Sequence, residues 1–157
     1  MIKIETLVVV YQPQRVLLAM KKVRFGKGKY NGFGGGCKDG ESLEQCAIRE
    51  FAEETGGAKL IDPRLLGKIK FTFLGSDEPD HLVHFYRAPG FEGTLRETEE
   101  MKPEWFEEKE IPYEKMWLDD RYWLPILLAG KSFEGWFNFK DGKIDSYKLN
   151  EVTEIRI

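Results

Sequence analysis

Apolar residues recur along this chain with two different periods, and each change of period marks an element. Leu7-Val8-Val9-Val10-Tyr11 is a short β-branched run, Gln12-Pro13-Gln14 interrupts it, and Arg15-Val16-Leu17-Leu18-Ala19-Met20 resumes it. Two strands around a turn are expected. Residues 24–40 hold seven glycines and read as loop with one short strand around 30–33. The period then becomes helical. Leu43, Ala47, Ile48 and Phe51 share a stripe, Ser42 with Gln45 three places on makes a capping box, and Gly56 supplies a left-handed stop. A helix of about three to four turns follows from that spacing.

Beyond the helix, residues 65–74 and 81–87 read as strands separated by the polar turn Ser76-Asp77-Glu78-Pro79-Asp80. His81 and His84 suit a strand edge there, and neither is assigned a ligand role. Trp105-Phe106 marks a further short strand. Pro112 and residues 113–116 lead into a second helix over 121–129, closed by Gly130. At the tail Phe133, Phe137 and Phe139 fall on one face of a strand, Asp141-Gly142 is a two-residue hairpin turn, and residues 143–150 return. Strands interrupted by two helices predict an α+β sandwich around a mixed sheet.

At 157 residues the chain suits a single domain over 1–157. Its 41% hydrophobic and 32% charged residues exclude disorder, and no run approaches the roughly 20 apolar residues that span a bilayer. The N-terminus has no leader-like pattern, so secretion is not expected. A net charge of -3 argues against stable binding to a nucleic-acid backbone but leaves small anionic substrates open. Cys37 and Cys46 read as free thiols in a reducing compartment. Lys21, Lys22, Arg24, Lys27 and Lys29 cluster ahead of the glycine-rich segment, either as a solvated loop or as a phosphate-binding patch.

Chemistry concentrates in residues 35–57. Gly35-Gly36-Cys37-Lys38-Asp39-Gly40-Glu41 is followed by seven residues and then by Arg49-Glu50-Phe51-Ala52-Glu53-Glu54-Thr55-Gly56. At 100° per residue Glu50 and Glu54 lie within about 40° of each other, with Glu53 on the flank. Like charges four apart on a helix repel, so three carboxylates on one arc call for a cation. Mg²⁺ suits them, being a hard ion that takes one or two carboxylates and bridges phosphate oxygens; Mn²⁺ is a substitute. The alternative is a solvated acidic helix paired to Arg49.

Position by position this segment resembles the Nudix signature: a glycine, five residues, a glutamate, seven residues, Arg-Glu, an apolar residue, any residue, Glu-Glu, any residue and Gly. Seven fixed types at fixed spacing arise by chance on the order of 10⁻⁸ times per starting position. The resemblance implies the Nudix fold, an α/β/α sandwich with a central mixed β-sheet and a loop-helix-loop. It implies Glu50 and Glu54 as principal metal ligands, Glu53 assisting, Arg49 orienting a glutamate, and the Gly34 carbonyl as a further ligand. Glu41 would tie loop to helix. Two positions depart from the pattern. Gly57 stands where a bulky aliphatic residue is usual, and Gly36 where lysine is common.

Blocks such as Asn31-Gly32-Phe33-Gly34-Gly35, Glu100-Met101-Lys102-Pro103, Met116-Trp117 and Asp119-Asp120 are similar to the branch of that family acting on oxidised purine nucleoside triphosphates. That likeness implies a base pocket in which Trp117 stacks on the purine and Phe25, Phe71, Phe73, Met101 and Trp123 form walls. Asn31, Asp119 and Asp120 would read base edges, Thr6 and Lys21 would lie near the base or the sugar and phosphates, and Glu100 would join the metal site. Each has a plainer reading: Phe71 and Phe73 as core, Trp117 as packing, an aspartate as helix cap. The implied activity is hydrolysis of 8-oxo-dGTP and 2-hydroxy-dATP to monophosphate and pyrophosphate, by a monomer in the cytoplasm, nucleus or mitochondrial matrix. The rivals are another Nudix hydrolysis, of general nucleotides, dinucleotide polyphosphates or methylated purine nucleotides, and a nucleotide-binding module without turnover.

Overall fold

In the computed structural model, which describes residues 1–156, β1 (Ile2–Gln12) is the strand on which the rest is assembled. Val8 and Val10 point to one side of the sheet and Val9 to the other, and all three are fully buried. A strand buried on both faces reads as a continuous apolar run. β1 pairs antiparallel with β2 (Arg15–Lys21) and β4 (Phe33–Gly36), and parallel with β7 (Asp80–Ala88), while β3 (Tyr30–Asn31) lies beyond β2. The sheet continues through β6 (Arg64–Leu74) to β10 (Ser132–Lys140) and β11 (Lys143–Val152). β6 and β10 are parallel, so the sheet is mixed, as expected.

A layer of helix covers each face. α1 (Leu43–Thr55) packs Ala47 and Phe51 against Val8, Leu17 and Phe33. α2 (Asp120–Leu128) packs Trp123, Leu124 and Leu127 against Ile69, Phe85 and Phe133. The expected cap of α1 is present. Ser42 Oγ accepts from the Gln45 N–H at 3.1 Å, Gln45 Oε1 accepts from the Ser42 N–H at 2.9 Å, and Gly56 takes φ 76°. Asp141 and Gly142 both adopt positive φ in the turn of the final hairpin.

Several expectations are corrected. β1 starts at Ile2 rather than at residue 7, because Ile2, Lys3 and Ile4 are exposed and join the strand through their pairing with β7. The strand around Trp105-Phe106 is the end of a longer β9 (Met101–Glu107), antiparallel to β2. Short strands β5 (Lys59–Ile61) and β8 (Gly90–Glu92) form a second, two-stranded sheet. His81 and His84 lie in a central strand flanked by β1 and β6, and both are buried. Cys37 and Cys46 are joined as a disulfide, with Cα atoms 5.3 Å apart. Spacing alone does not reveal that the chain doubles back between β4 and α1 and sets these two side by side. Ile157, the last residue of the expected single domain, lies outside the described residues. Among those described, no helix is long and apolar enough to cross a membrane.

Candidate active site

One cavity of about 410 Å³ opens between the first half of β1, α1 and the start of α2. Its acidic end is built by α1. Glu54 is 4% exposed, and its Oε1 accepts from the Gly34 N–H at 2.9 Å. Burial, followed by the charges of Glu50 and Glu100, raises the Glu54 carboxyl to about 8, against the Gly34 hydrogen bond. Burial also raises Glu50, although Arg49 opposes it. Glu53 is more open, with its side chain 54% exposed.

Arg49 organises this end from behind the cavity wall. Its guanidinium donates to Glu41 at 2.6 and 2.9 Å, to Glu50 at 2.9 Å, to Glu53 at 3.2 Å and to the Gly36 carbonyl at 3.0 Å. Glu41 also accepts from the Lys38 N–H, and Arg49 holds its carboxyl down to about 2. Glu41 thus ties loop to helix, as the motif implied. Arg49 draws Glu50 and Glu53 to one side while Gly34 holds Glu54 on the other. Among the described residues the three carboxylates do not converge as a tight trio; the trio whose ligand atoms lie within 4.8 Å of one another is Cys37, Glu41 and Cys46.

Glycine is required where the loop approaches its neighbours. A β-carbon on Gly34 would sit 1.8 Å from the Thr6 carbonyl oxygen, and one on Gly35 would sit 2.7 Å from the Glu50 carboxyl. Gly36, by contrast, has open space around it, and Gly57 has open space but φ 115°. Neither departure from the family pattern removes a carboxylate or crowds one.

The other end of the cavity is aromatic and then acidic again. Trp117 meets Phe25 at a centroid distance of 5.2 Å and Phe73 at 6.3 Å, and Lys29 Nζ lies 5.2 Å from its ring centroid. Phe71, Met101 and Trp123 complete the wall, with Thr6, Lys21 and Asn31 also lining it. Asn31 Nδ2 donates to the Lys29 carbonyl at 3.2 Å. At the floor Asp119 and Asp120 are 3% and 5% exposed. Trp123 Nε1 donates to Asp119 Oδ2 at 2.7 Å. Burial raises Asp119 to about 6, and burial together with the Asp119 charge raises Asp120 well above the usual carboxylate range. Asp119 occupies the N-cap position of α2, but its side chain makes no capping hydrogen bond. Its carboxylate serves the cavity, and the helix-cap reading is dropped.

Every residue singled out from the sequence for base, sugar or metal lines this cavity, Gly34, Glu53 and Glu100 included; Arg49 supports it from behind. Glu100 pairs with Arg24 at 3.2 Å, so one member of the basic cluster reaches the acidic end. One wall was not anticipated. His81 bonds to Glu5 through Nδ1 and to Glu78 through Nε2 at 2.5 Å, and its ring stacks on Phe25 at 5.8 Å. Burial alone would lower this imidazole, but the two carboxylates outweigh it and leave it raised. Phe139, placed by the sequence only on one face of a strand, meets Trp117 at 5.9 Å. The sequence signal for this wall was slight: Glu5 and His81 point the same way only through the parallel register of β1 and β7.

The NUDIX domain description matches residues 1–127. The chain is 48% identical over 151 residues to the oxidized purine nucleoside triphosphate hydrolase of Mus musculus, covering 96% of each. It is 46% identical over 155 residues to the protein of the same name from Danio rerio, covering 98% of this chain and 97% of that one. The crystal structure of the mutator MutT protein from Bacillus halodurans superposes with a TM-score of 0.83 at 26% identity, covering 94% of this chain and 97% of the other. The chain belongs to the Nudix hydrolase family.

Proposed function

We propose that this enzyme hydrolyses oxidised purine nucleoside triphosphates, 8-oxo-dGTP and 2-hydroxy-dATP foremost, to the monophosphate and pyrophosphate, and so cleans the nucleotide pool. The observation that carries the reading is one cavity with carboxylates at both ends and aromatic rings between them. That layout suits a ligand with a flat, polar-edged ring at one end and a dense negative charge, needing a cation, at the other. The murine and zebrafish relatives, named for oxidised purine nucleoside triphosphates, support the same substrate class.

Nudix hydrolases use divalent metal cations. The donor set here fits Mg²⁺, with Mn²⁺ as a substitute: the oxygens of Glu50, Glu53, Glu54 and Glu100 and the Gly34 carbonyl would hold it. Burial makes Glu50 and Glu54 costly to ionise, and a dication would offset that cost. The cation, when bound, neutralises phosphate charge and lowers the pKa of water. The chain's own residues do the rest. Arg49 orients Glu50 and Glu53, and Lys21 and Arg24 offer positive charge beside the phosphates. Trp117 stacks on the base between Phe25 and Phe73, while Asn31 and Thr6 meet its edge. Asp119 and Asp120 together hold a proton, so one donates and the other accepts. Exchanging which of them holds it lets one floor read oxidised guanine and oxidised adenine.

Under this reading residues 1–157 act as one catalytic domain and a monomer on a small nucleotide rather than on nucleic acid. The enzyme works where nucleotide pools lie, in the cytoplasm, nucleus or mitochondrial matrix. The test is pyrophosphate release with Mg²⁺ from 8-oxo-dGTP, 2-hydroxy-dATP, dGTP, ATP and a diadenosine polyphosphate. The oxidised purines are expected to lead. Preference for an undamaged nucleotide refutes the substrate class, and absence of turnover on all of them refutes catalysis.

A further inference from the structure

We propose that Cys37 and Cys46 form a reversible thiol–disulfide modification site that sets how tightly the glycine loop is tied to the carboxylate helix. Cys37 follows β4 on the loop and Cys46 lies in the second turn of α1, and their Cα atoms stand 5.3 Å apart, within reach of a disulfide. The pair does not brace the fold as a whole, because it encloses only the β4–α1 turn. It spans the segment that positions the acidic end of the cavity. Within three residues before Cys37, the Gly34 N–H holds Glu54, Gly35 passes against the Glu50 carboxyl, and the Gly36 carbonyl accepts from Arg49. Cys37 N–H itself donates to the Ile4 carbonyl at 2.9 Å, and Cys46 Sγ lies 3.4 Å from Thr6 Oγ1 in the cavity wall.

The loop needs such a tie. Gly36 has open space around it and no positive φ, so it adds backbone freedom without a steric return. A covalent link across this stretch removes that freedom. The two sulfurs also differ in access as an exchange pair requires. Cys46 is fully buried, whereas Cys37 is partly exposed. The Cys37 thiolate attacks a small-molecule disulfide and forms a mixed disulfide, releasing one thiolate. The Cys46 thiolate then attacks Cys37 Sγ and releases the second. Two protein thiols lose two protons and two electrons, and the external disulfide is reduced to two thiols.

The inference rests on the Nudix activity of the chain but not on its substrate, and two of its three readouts need no nucleotide. Full-length protein is equilibrated with reduced or oxidised glutathione, freed of it, and examined by thiol alkylation with mass spectrometry, thermal unfolding and steady-state hydrolysis. Oxidation is expected to protect both cysteines from alkylation within a monomer and to raise the melting temperature by about 5 °C. Reduction is expected to lower kcat about 3- to 10-fold with little change in KM. The Cys37→Ser/Cys46→Ser variant stays at the reduced values under either condition. Full alkylation after oxidation, disulfide-linked dimers in place of the internal link, or an equal kcat in the two states overturns the proposal.

Discussion

Two groups of carboxylates face the same cavity, and they are kept there by opposite means. At α1, Glu50 and Glu53 share one guanidinium with Glu41 of the preceding loop, and Glu54 accepts a backbone N–H. At the start of α2, no cationic side chain among the described residues is in hydrogen-bond contact with Asp119 or Asp120; an indole N–H reaches Asp119. Arginine charge holds Glu41, Glu50 and Glu53, while Glu54 beside them is raised to about 8 by burial; the second group is held by retained protons alone. Buried acids can be tolerated either way, but the chemistry left available differs. Charge-compensated carboxylates can bind a metal. Protonated ones can donate a hydrogen bond to a neutral ring.

The largest effect is expected from disturbing the charge-compensated end. Glu54→Gln should lower kcat for 8-oxo-dGTP by roughly 10²–10⁴-fold while nucleotide binding, followed by tryptophan fluorescence, survives. Turnover at the native rate would remove Glu54 from the metal site. Arg49→Lys keeps the charge but loses the fork that reaches Glu41, Glu50 and Gly36 together, and a drop of about 10- to 100-fold in kcat is expected. A change confined to KM would show instead that Arg49 serves binding.

At the other end, Asp119→Asn and Asp120→Asn fix a proton pattern that the native pair can exchange. Each should shift the kcat/KM ratio of 8-oxo-dGTP to 2-hydroxy-dATP by about 10-fold, the scale of one mismatched buried hydrogen bond. An unchanged ratio in both variants would take the pair out of base reading. The smallest effect is on stability. Both aspartates are raised in the folded protein, so the folded state holds their protons more firmly than the unfolded chain does. Their stabilising contribution is complete below about pH 4 and is lost as pH rises through about 6 for Asp119 and higher for Asp120. Glu54, raised to about 8, acts with the same sign. Thermal unfolding of metal-free protein from pH 4 to 8 should therefore show Asp120→Asn gaining a few degrees on the native chain as pH rises. A constant difference across that range would show that the aspartates are not held protonated.

The two ends were unequally legible in the sequence. The α1 end is local: Ser42, Gln45, Arg49, Glu50, Glu54 and Gly56 are set by helical spacing, so residue order conveys their geometry. The α2 end was reached through likeness to a family branch, since nothing in the spacing of Asn31, Phe71 and Trp117 shows that they meet. Where neither route applied, contacts were missed. Glu5 and His81 come together through a parallel pairing of strands far apart in the chain, and Lys3 and Glu5 break the apolar run that identified the rest of β1. β5 and β8 are three residues each, too short for a period to register. The cysteine pair depends on a reversal of direction that counting residues cannot detect.

β1 carries one further consequence. Thr6 pairs with Gly35 on one side and with His84 on the other, one place from Glu5, whose side chain meets His81. The glycine loop of the acidic end and the histidine wall of the cavity are thus indexed to neighbouring rungs of a single ladder. Because neither can slide without breaking pairing on both sides, the distance between the acidic end and the histidine wall is gauged by the backbone. A one-residue insertion between Glu5 and Thr6 would keep every cavity side chain in the sequence and still put the two halves of the ruler out of step.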